Sequence, residues 1–149
     1  MRILILSDNH YKNLDDLNLD EFDYVIHAGD YGLSLDDLNN KGAFYVKGNC
    51  DVKGLNESTF KIGDRKIYLT HGHIYDVKYD YIRLMFKGLS INADYVIFGH
   101  THRADMFIQE GVAFINPGAY KDGYYAIATD DDVSFYKDNK VYKQFRRKW

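Results

Sequence analysis

Five times in this chain an apolar run breaks off into Asp, Asn or His, and this repeated pattern restricts the fold more than any other feature. Ile3-Leu4-Ile5-Leu6 runs into Ser7-Asp8-Asn9-His10, and Tyr24-Val25-Ile26-His27 into Ala28-Gly29-Asp30. Ala43-Phe44-Tyr45-Val46 leads to Gly48-Asn49-Cys50-Asp51, Ile67-Tyr68-Leu69 to Thr70-His71-Gly72-His73, and Tyr95-Val96-Ile97-Phe98 to Gly99-His100-Thr101-His102. Runs without polar alternation suit strands covered on both faces. Ligands of parallel sheets sit outside the carboxyl ends of the strands, so the five exits are expected to meet in one pocket.

The segments between the runs fill in the architecture. Leu14, Leu17 and Leu19 predict a weak amphipathic helix, and Leu33 to Leu38, with Ser34 as N-cap, a short one. Thr59–Ile62 and Arg65–Leu69 flank Gly63-Asp64 as a hairpin, and Tyr79, Ile82, Met85, Phe86 and Leu89 recur at helical spacing. Five further short runs beyond His102 read as an antiparallel meander. The expected fold is a single α/β domain over residues 1–149: a four-layer α-β-β-α sandwich of two mixed sheets packed face to face, helices outside.

Composition narrows the function. A net charge of −3 argues against general polyanion binding, so no stable nucleic-acid complex is expected. Cys50 is the only cysteine, which suits a reducing cytoplasm, and no run is long enough to span a membrane.

The strand ends offer carboxylates, an amide and imidazoles. Mixed nitrogen and oxygen donors suit a borderline divalent metal rather than calcium or structural zinc. The donors are too many for one ion, and two ions need a shared anion, for which Asp30 after Gly29 is the natural residue.

In that order, Asp8-x-His10, Gly29-Asp30, Gly48-Asn49-x-Asp51, His71 and Gly99-His100-x-His102 resemble the calcineurin-like metallophosphoesterase superfamily. The short chain, Gly48-Asn49-Cys50-Asp51, Thr70-His71-Gly72-His73 and Asn116-Pro117-Gly118 are similar to its compact single-domain phosphodiesterases of bacteria and archaea. The resemblance implies one metal on Asp8, His10, Asp30 and His102, and a second on Asp30, Asn49, His71 and His100. It implies hydrolysis of a small phosphodiester by a hydroxide bridging two divalent ions, manganese first, with nickel, iron, zinc or magnesium as alternatives.

Asn49, Cys50, Asp51 and His73 are expected to assist the chemistry, Asp51 by orienting a neighbour. Many relatives carry histidine at position 50 as proton donor; cysteine is a poorer acid for an alkoxide, which favours diesters with good leaving groups. The alternatives are a phosphomonoesterase or protein phosphatase of the same superfamily, and a non-catalytic scaffold resembling the small retromer subunit.

Other features read more simply. His27 is expected in the core or an interface, Arg103 either at substrate phosphate or paired with an acid, Asn116-Pro117-Gly118 as a rim turn, and Asp130-Asp131-Asp132 as a solvated hairpin. Arg146-Arg147-Lys148 reads as a solvated tail, and Tyr120, Tyr124, Tyr125 and Tyr136 as a candidate interface of a homodimer or homotetramer.

Overall fold

The computed structural model describes residues 1–149. Its strands are β1 (Arg2–Leu6), β2 (Tyr24–His27), β3 (Phe44–Tyr45), β4 (Glu57–Ile62), β5 (Arg65–Thr70), β6 (Tyr95–Ile97), β7 (Asp105–Gln109), β8 (Val112–Asn116), β9 (Tyr124–Thr129), β10 (Asp132–Lys137) and β11 (Lys140–Arg146). The α-helices are α1 (Leu35–Lys41) and α2 (Ile82–Ser90). One sheet runs β11-β10-β9-β1-β2-β3 and the other β4-β5-β6-β8-β7. Both are mixed: β1 pairs parallel with β2 and antiparallel with β9, and β6 lies parallel to both β5 and β8.

Side-chain alternation explains why the apolar runs are continuous. Ile3 and Ile5 of β1, with Tyr95 and Ile97 of β6, enter the core between the sheets, while Leu4 and Leu6 turn to a core that includes Leu38 of α1. On the far side, Val96 and Phe98 join Leu84 of α2 in a third core. Three buried layers between four structural layers make the α-β-β-α sandwich. No helix is long and apolar enough to cross a membrane.

Four expectations are corrected. No α-helix forms around Leu14–Leu19: Asn13 Oδ1 takes the Asp15 N–H and Asn18 Oδ1 the Asp20 N–H, local bonds that compete with helix, leaving one 3-10 turn at Leu19–Glu21. The three leucines still join the core beside α1. The C-terminal strands are not one meander, because the β7–β8 hairpin completes the second sheet and β9–β11 the first. Tyr120 and Tyr125 are buried in the core and so leave the candidate interface, while Tyr124 and Tyr136 are half-buried, Tyr136 stacked on Tyr125. The C-terminal tail is docked at Arg147 and Trp149, while Arg146 and Lys148 are exposed as expected. The Trp149 ring stacks on Tyr95 at 4.0 Å, and the backbone N–H groups of Arg147 and Trp149 donate to Asp131 and Asp130 carbonyls.

Candidate metal centre

Three of the five strand exits, those after β1, β2 and β6, deliver their side chains through an unusual backbone. Asp8, His10, Asp30, His100 and His102 all have positive φ, between 47° and 71°, a region that non-glycine residues enter at a cost. Five such residues around one point indicate a backbone bent to aim side chains, held by the packing beneath.

The two central carboxylates are used alike. Asp8 Oδ2 accepts from Ser7 Oγ and from the His100 N–H, whereas Oδ1 is buried without a hydrogen-bond partner and faces His102 Nε2 at 3.2 Å, His10 Nε2 at 3.7 Å and His71 Nε2 at 3.8 Å. Asp30 Oδ1 accepts from the Cys50 N–H at 2.9 Å, and Oδ2 stands 3.2 Å from His71 Nε2 and 3.7 Å from His10 Nε2. In each, one oxygen is fixed by the chain and the other is aimed inward.

His71 is oriented from behind: its Nδ1–H donates to the Ala28 carbonyl at 2.7 Å, which leaves Nε2 to face the centre. Asn49 Oδ1 lies 3.1 Å and His100 Nδ1 3.2 Å from that Nε2. The neighbours therefore fall into two overlapping groups, one around Asp8, His10 and His102 and one around His71, Asn49 and His100, with Asp30 Oδ2 between them.

The electrostatics are those of a site built for cations. Burial pushes the Asp8 carboxyl up, but the adjoining His102 imidazole and the charge of His71 outweigh it and hold it below its ordinary value. Burial opposes ionisation of Asp30 too, yet the hydrogen bond and charge of His71 hold it well below the carboxylate range. His71 is raised against its burial by Asp30 and Asp8, whereas burial and the neighbouring His71 push His100 down to about 4. Without metal, an imidazole whose protonated form is favoured thus sits between two carboxylates, where a cation fits.

The remaining expected residues lie around this cluster. Asp51 Oδ2 accepts from the N–H groups of Asp30, Gly48 and Tyr31, so it clamps the Asp30 loop and does not face the centre. Cys50 is exposed at the cleft, its sulfur grouped with ligand atoms of His10 and Asp30. His73 begins a 3-10 turn, its ring 5.5 Å from that of His71 and its Nδ1 buried without a partner. Arg103 is on the surface beside the cleft with Lys78 and Thr101.

Space at the strand ends explains the glycines. A Cβ on Gly29, whose φ is +103°, would lie 2.7 Å from the Gly48 nitrogen and 2.8 Å from His71 Nδ1. On Gly99 it would meet Ser7 Oγ and approach Asp8 Oδ2 to 2.6 Å.

Several supports were not foreseen. Asn9 reaches away from the centre and bonds His27, and Ser7 holds Asp8. Asn116 Nδ2 donates to the Gly99 carbonyl and to Thr101 Oγ1, which braces the loop bearing His100 and His102. Asn116 had a signal: Val112–Ile115 is a sixth apolar run broken by Asn, and β8 ends beside β6.

Residues 1–129 match the Calcineurin-like phosphoesterase superfamily domain. The chain belongs to this family. It is 33% identical over 128 residues to "Probable metallophosphoesterase YsnB" of Bacillus subtilis, covering 81% of this chain and 76% of that one. A solved structure from Streptococcus pneumoniae, described as a conserved uncharacterized protein and predicted phosphoesterase, superposes with TM-score 0.82 at 27% identity, covering 98% and 97% of the two chains. Vps29 of Entamoeba histolytica complexed with zinc superposes with TM-score 0.75 at 26% identity over 99% of each. The fold and the phosphoesterase family are therefore those the strand-end motifs implied.

The donor set fits the divalent ions that this family uses. The decisive feature is Asp8 Oδ1 and His10 Nε2, both buried without a hydrogen-bond partner and both turned to the same point. Buried polar atoms are rarely left so unless something absent from the protein completes them.

Proposed function

We propose that this protein is a phosphodiesterase that works with two divalent metal ions. Asp8, His10, Asp30 and His102 would hold one, and Asp30, Asn49, His71 and His100 the other. The observation that carries this reading is the inward Asp30 oxygen, placed between His10 and His71 at 3.7 and 3.2 Å, where one carboxylate serves both groups. Two ions held by these residues would supply Lewis acidity, to acidify a water and to balance the charge on the phosphate oxygens as a displacement proceeds.

The chain's own residues do the rest. Asp8 and Asp30 supply the central negative charge and are kept ionised by their neighbours. Asp51 fixes the backbone from which Asp30 projects, and the Ala28 carbonyl fixes the His71 ring. Cys50 and His73 are the groups at the cleft able to hold a proton for the leaving oxygen. A thiol is a weak acid for that task, which favours diesters whose leaving group needs little protonation.

Likeness to Vps29 fits the scaffold alternative, and because one such structure contains zinc, metal binding alone does not separate enzyme from scaffold. The phosphoesterase relatives and the full set of inward donors favour the enzyme.

Metal-free protein given manganese, nickel, magnesium or zinc is assayed on an aryl phosphodiester and an aryl phosphomonoester, beside Asp30→Asn. The expected result is metal-dependent hydrolysis with the diester preferred, and a loss in Asp30→Asn greater than the roughly 10–100-fold of outer-sphere changes. Full activity in Asp30→Asn rejects the shared carboxylate. Preference for the monoester moves the assignment to a phosphomonoesterase, and metal binding without hydrolysis moves it to a scaffold.

A further inference from the structure

The two sides of the cleft differ. On the side of His100 and His102, the neighbouring depression mixes the charges of Lys78, Asp80 and Arg103 with Val77, Tyr79 and Tyr81. On the side of His10 and Asp30, the cleft opens past Cys50 into a groove of about 390 Å³ whose lining is mostly apolar. That volume lies in the roughly 300–1,000 Å³ range of small-molecule sites.

The groove is built from residues just beyond the metal motifs. Tyr11 follows His10, Leu33 stands three residues past Asp30, and Val52 follows Asp51. These side chains are 96%, 92% and 89% exposed and line one groove together, and it is such clustering of exposed apolar groups that marks a binding surface. Below them lies buried Tyr31, whose hydroxyl donates to the Lys53 carbonyl, so the loop after Asp51 is tied down. The one acid in the lining is Asp51, and three backbone N–H groups already satisfy one of its oxygens. The groove therefore offers apolar contact without an unbalanced negative charge to repel a phosphodiester.

We infer that this groove binds a flat aromatic substituent of the phosphodiester, an aryl group or a nucleobase, on the ester arm nearest His10 and Asp30. The inference rests on the phosphodiesterase reading above. Continuity selects this occupant: the groove and the cleft share Tyr11, Gly32, Cys50 and Asp51, so a group joined to phosphate at the metal centre reaches the groove without leaving the protein surface. Tyr11 supplies a ring for stacking, and Leu33 and Val52 aliphatic faces.

The test compares two diesters with the same leaving group, bis(4-nitrophenyl) phosphate and methyl 4-nitrophenyl phosphate, in the manganese-loaded enzyme. The readout is the ratio of their kcat/KM values, which cancels intrinsic leaving-group chemistry between variants. In Leu33→Ser/Val52→Ser the ratio is expected to fall roughly tenfold, as lost apolar burial of the retained ring requires. Tyr11→Ala, at an exposed site, should shift it in the same direction and guards against a folding defect in the double variant. An unchanged ratio in both variants, with the diesters still hydrolysed, overturns the groove assignment and leaves the phosphodiesterase reading standing. Hydrolysis of neither diester by the parent protein overturns both. Sedimentation of the same proteins covers the other occupant: a lower oligomeric mass in the double variant with an unchanged ratio makes the groove a contact between copies.

Discussion

His27 Nε2 lies 2.7 Å from Asn9 Oδ1, a buried pair joining the loop of Asp8 and His10 to the loop of Asp30. The other ring nitrogen accepts from the Gly29 N–H at 3.0 Å, and Asn9 Nδ2 faces the Lys12 and Tyr31 carbonyls and Ser34 Oγ. His27→Phe keeps a ring in the cavity but strands the Gly29 donor and the Asn9 acceptor. Buried groups left so cost about 1–3 kcal/mol each, so urea unfolding of the variant should show a loss of roughly 2–6 kcal/mol. Because the pair positions both ligand loops, calorimetry should show manganese affinity weakened by about 10–100-fold. Unchanged affinity would confine the pair to a role in folding.

The same residue makes stability depend on pH. Burial, opposed by the charge of Asp8, lowers the His27 imidazole from 6.5 to about 3, which agrees with a neutral ring that both donates and accepts. Below 6.5 the unfolded chain takes up a proton that the folded ring refuses. Stability is therefore lost as pH falls from 6.5 toward 3, and His27 contributes no pH dependence above that window. In metal-free protein, the unfolding free-energy difference between parent and His27→Phe should shrink by about 2 kcal/mol from pH 7 to about pH 5. A constant difference would mean that the ring is charged in the fold.

Much of this centre was legible in the sequence because strand ends and ligands coincide: an apolar run states where a buried strand stops, and the next residues must enter the cleft. Three features were not legible. Positive φ at Asp8, Asp30 and His102 has only a weak residue-type signature, since Asp and His enter that region more often than other non-glycine residues but mostly do not. His27 could be placed in the core, but its partner Asn9 is 18 positions away and lies within a ligand motif that drew attention to its neighbours. Leu14, Leu17 and Leu19 marked a buried stripe, yet Asn13 and Asn18 decided the local backbone. Periodicity reports which side chains are buried; hydrogen-bonding side chains decide which turn presents them.

His71 couples metal binding to protons. Against the cost of burial, Asp30 and Asp8 raise its pKa above 6.5, so the imidazolium persists where an ordinary histidine is neutral. Its Nε2 must lose that proton to act as a ligand. Manganese titration calorimetry at pH 7, where an ordinary histidine is mostly neutral, in two buffers of different ionisation enthalpy should give different observed heats, with protons released. Apparent affinity at that place should fall about tenfold per pH unit below the His71 pKa. Identical heats in both buffers would show that the site is not held by an imidazolium before metal enters.

Cys50 tests the choice of substrate. Its backbone N–H donates to Asp30 Oδ1 at 2.9 Å whatever side chain it carries, and its φ is not in the left-handed region, so histidine fits the backbone there. Burial and the charge of Asp30 push the thiol above its ordinary 9.0, so it keeps its proton at neutral pH and is a poor donor to a leaving oxygen. A histidine titrates near 6.5, where a general acid is most effective, and a cation beside the cleft favours the more negative monoester. Cys50→His should therefore raise kcat/KM for phenyl phosphate relative to bis(4-nitrophenyl) phosphate by at least about tenfold, a part of the roughly 10²–10⁴ that a placed acid supplies. The effect should vanish above the histidine's pKa. A ratio that does not move would remove the side chain at position 50 from the discrimination between esters.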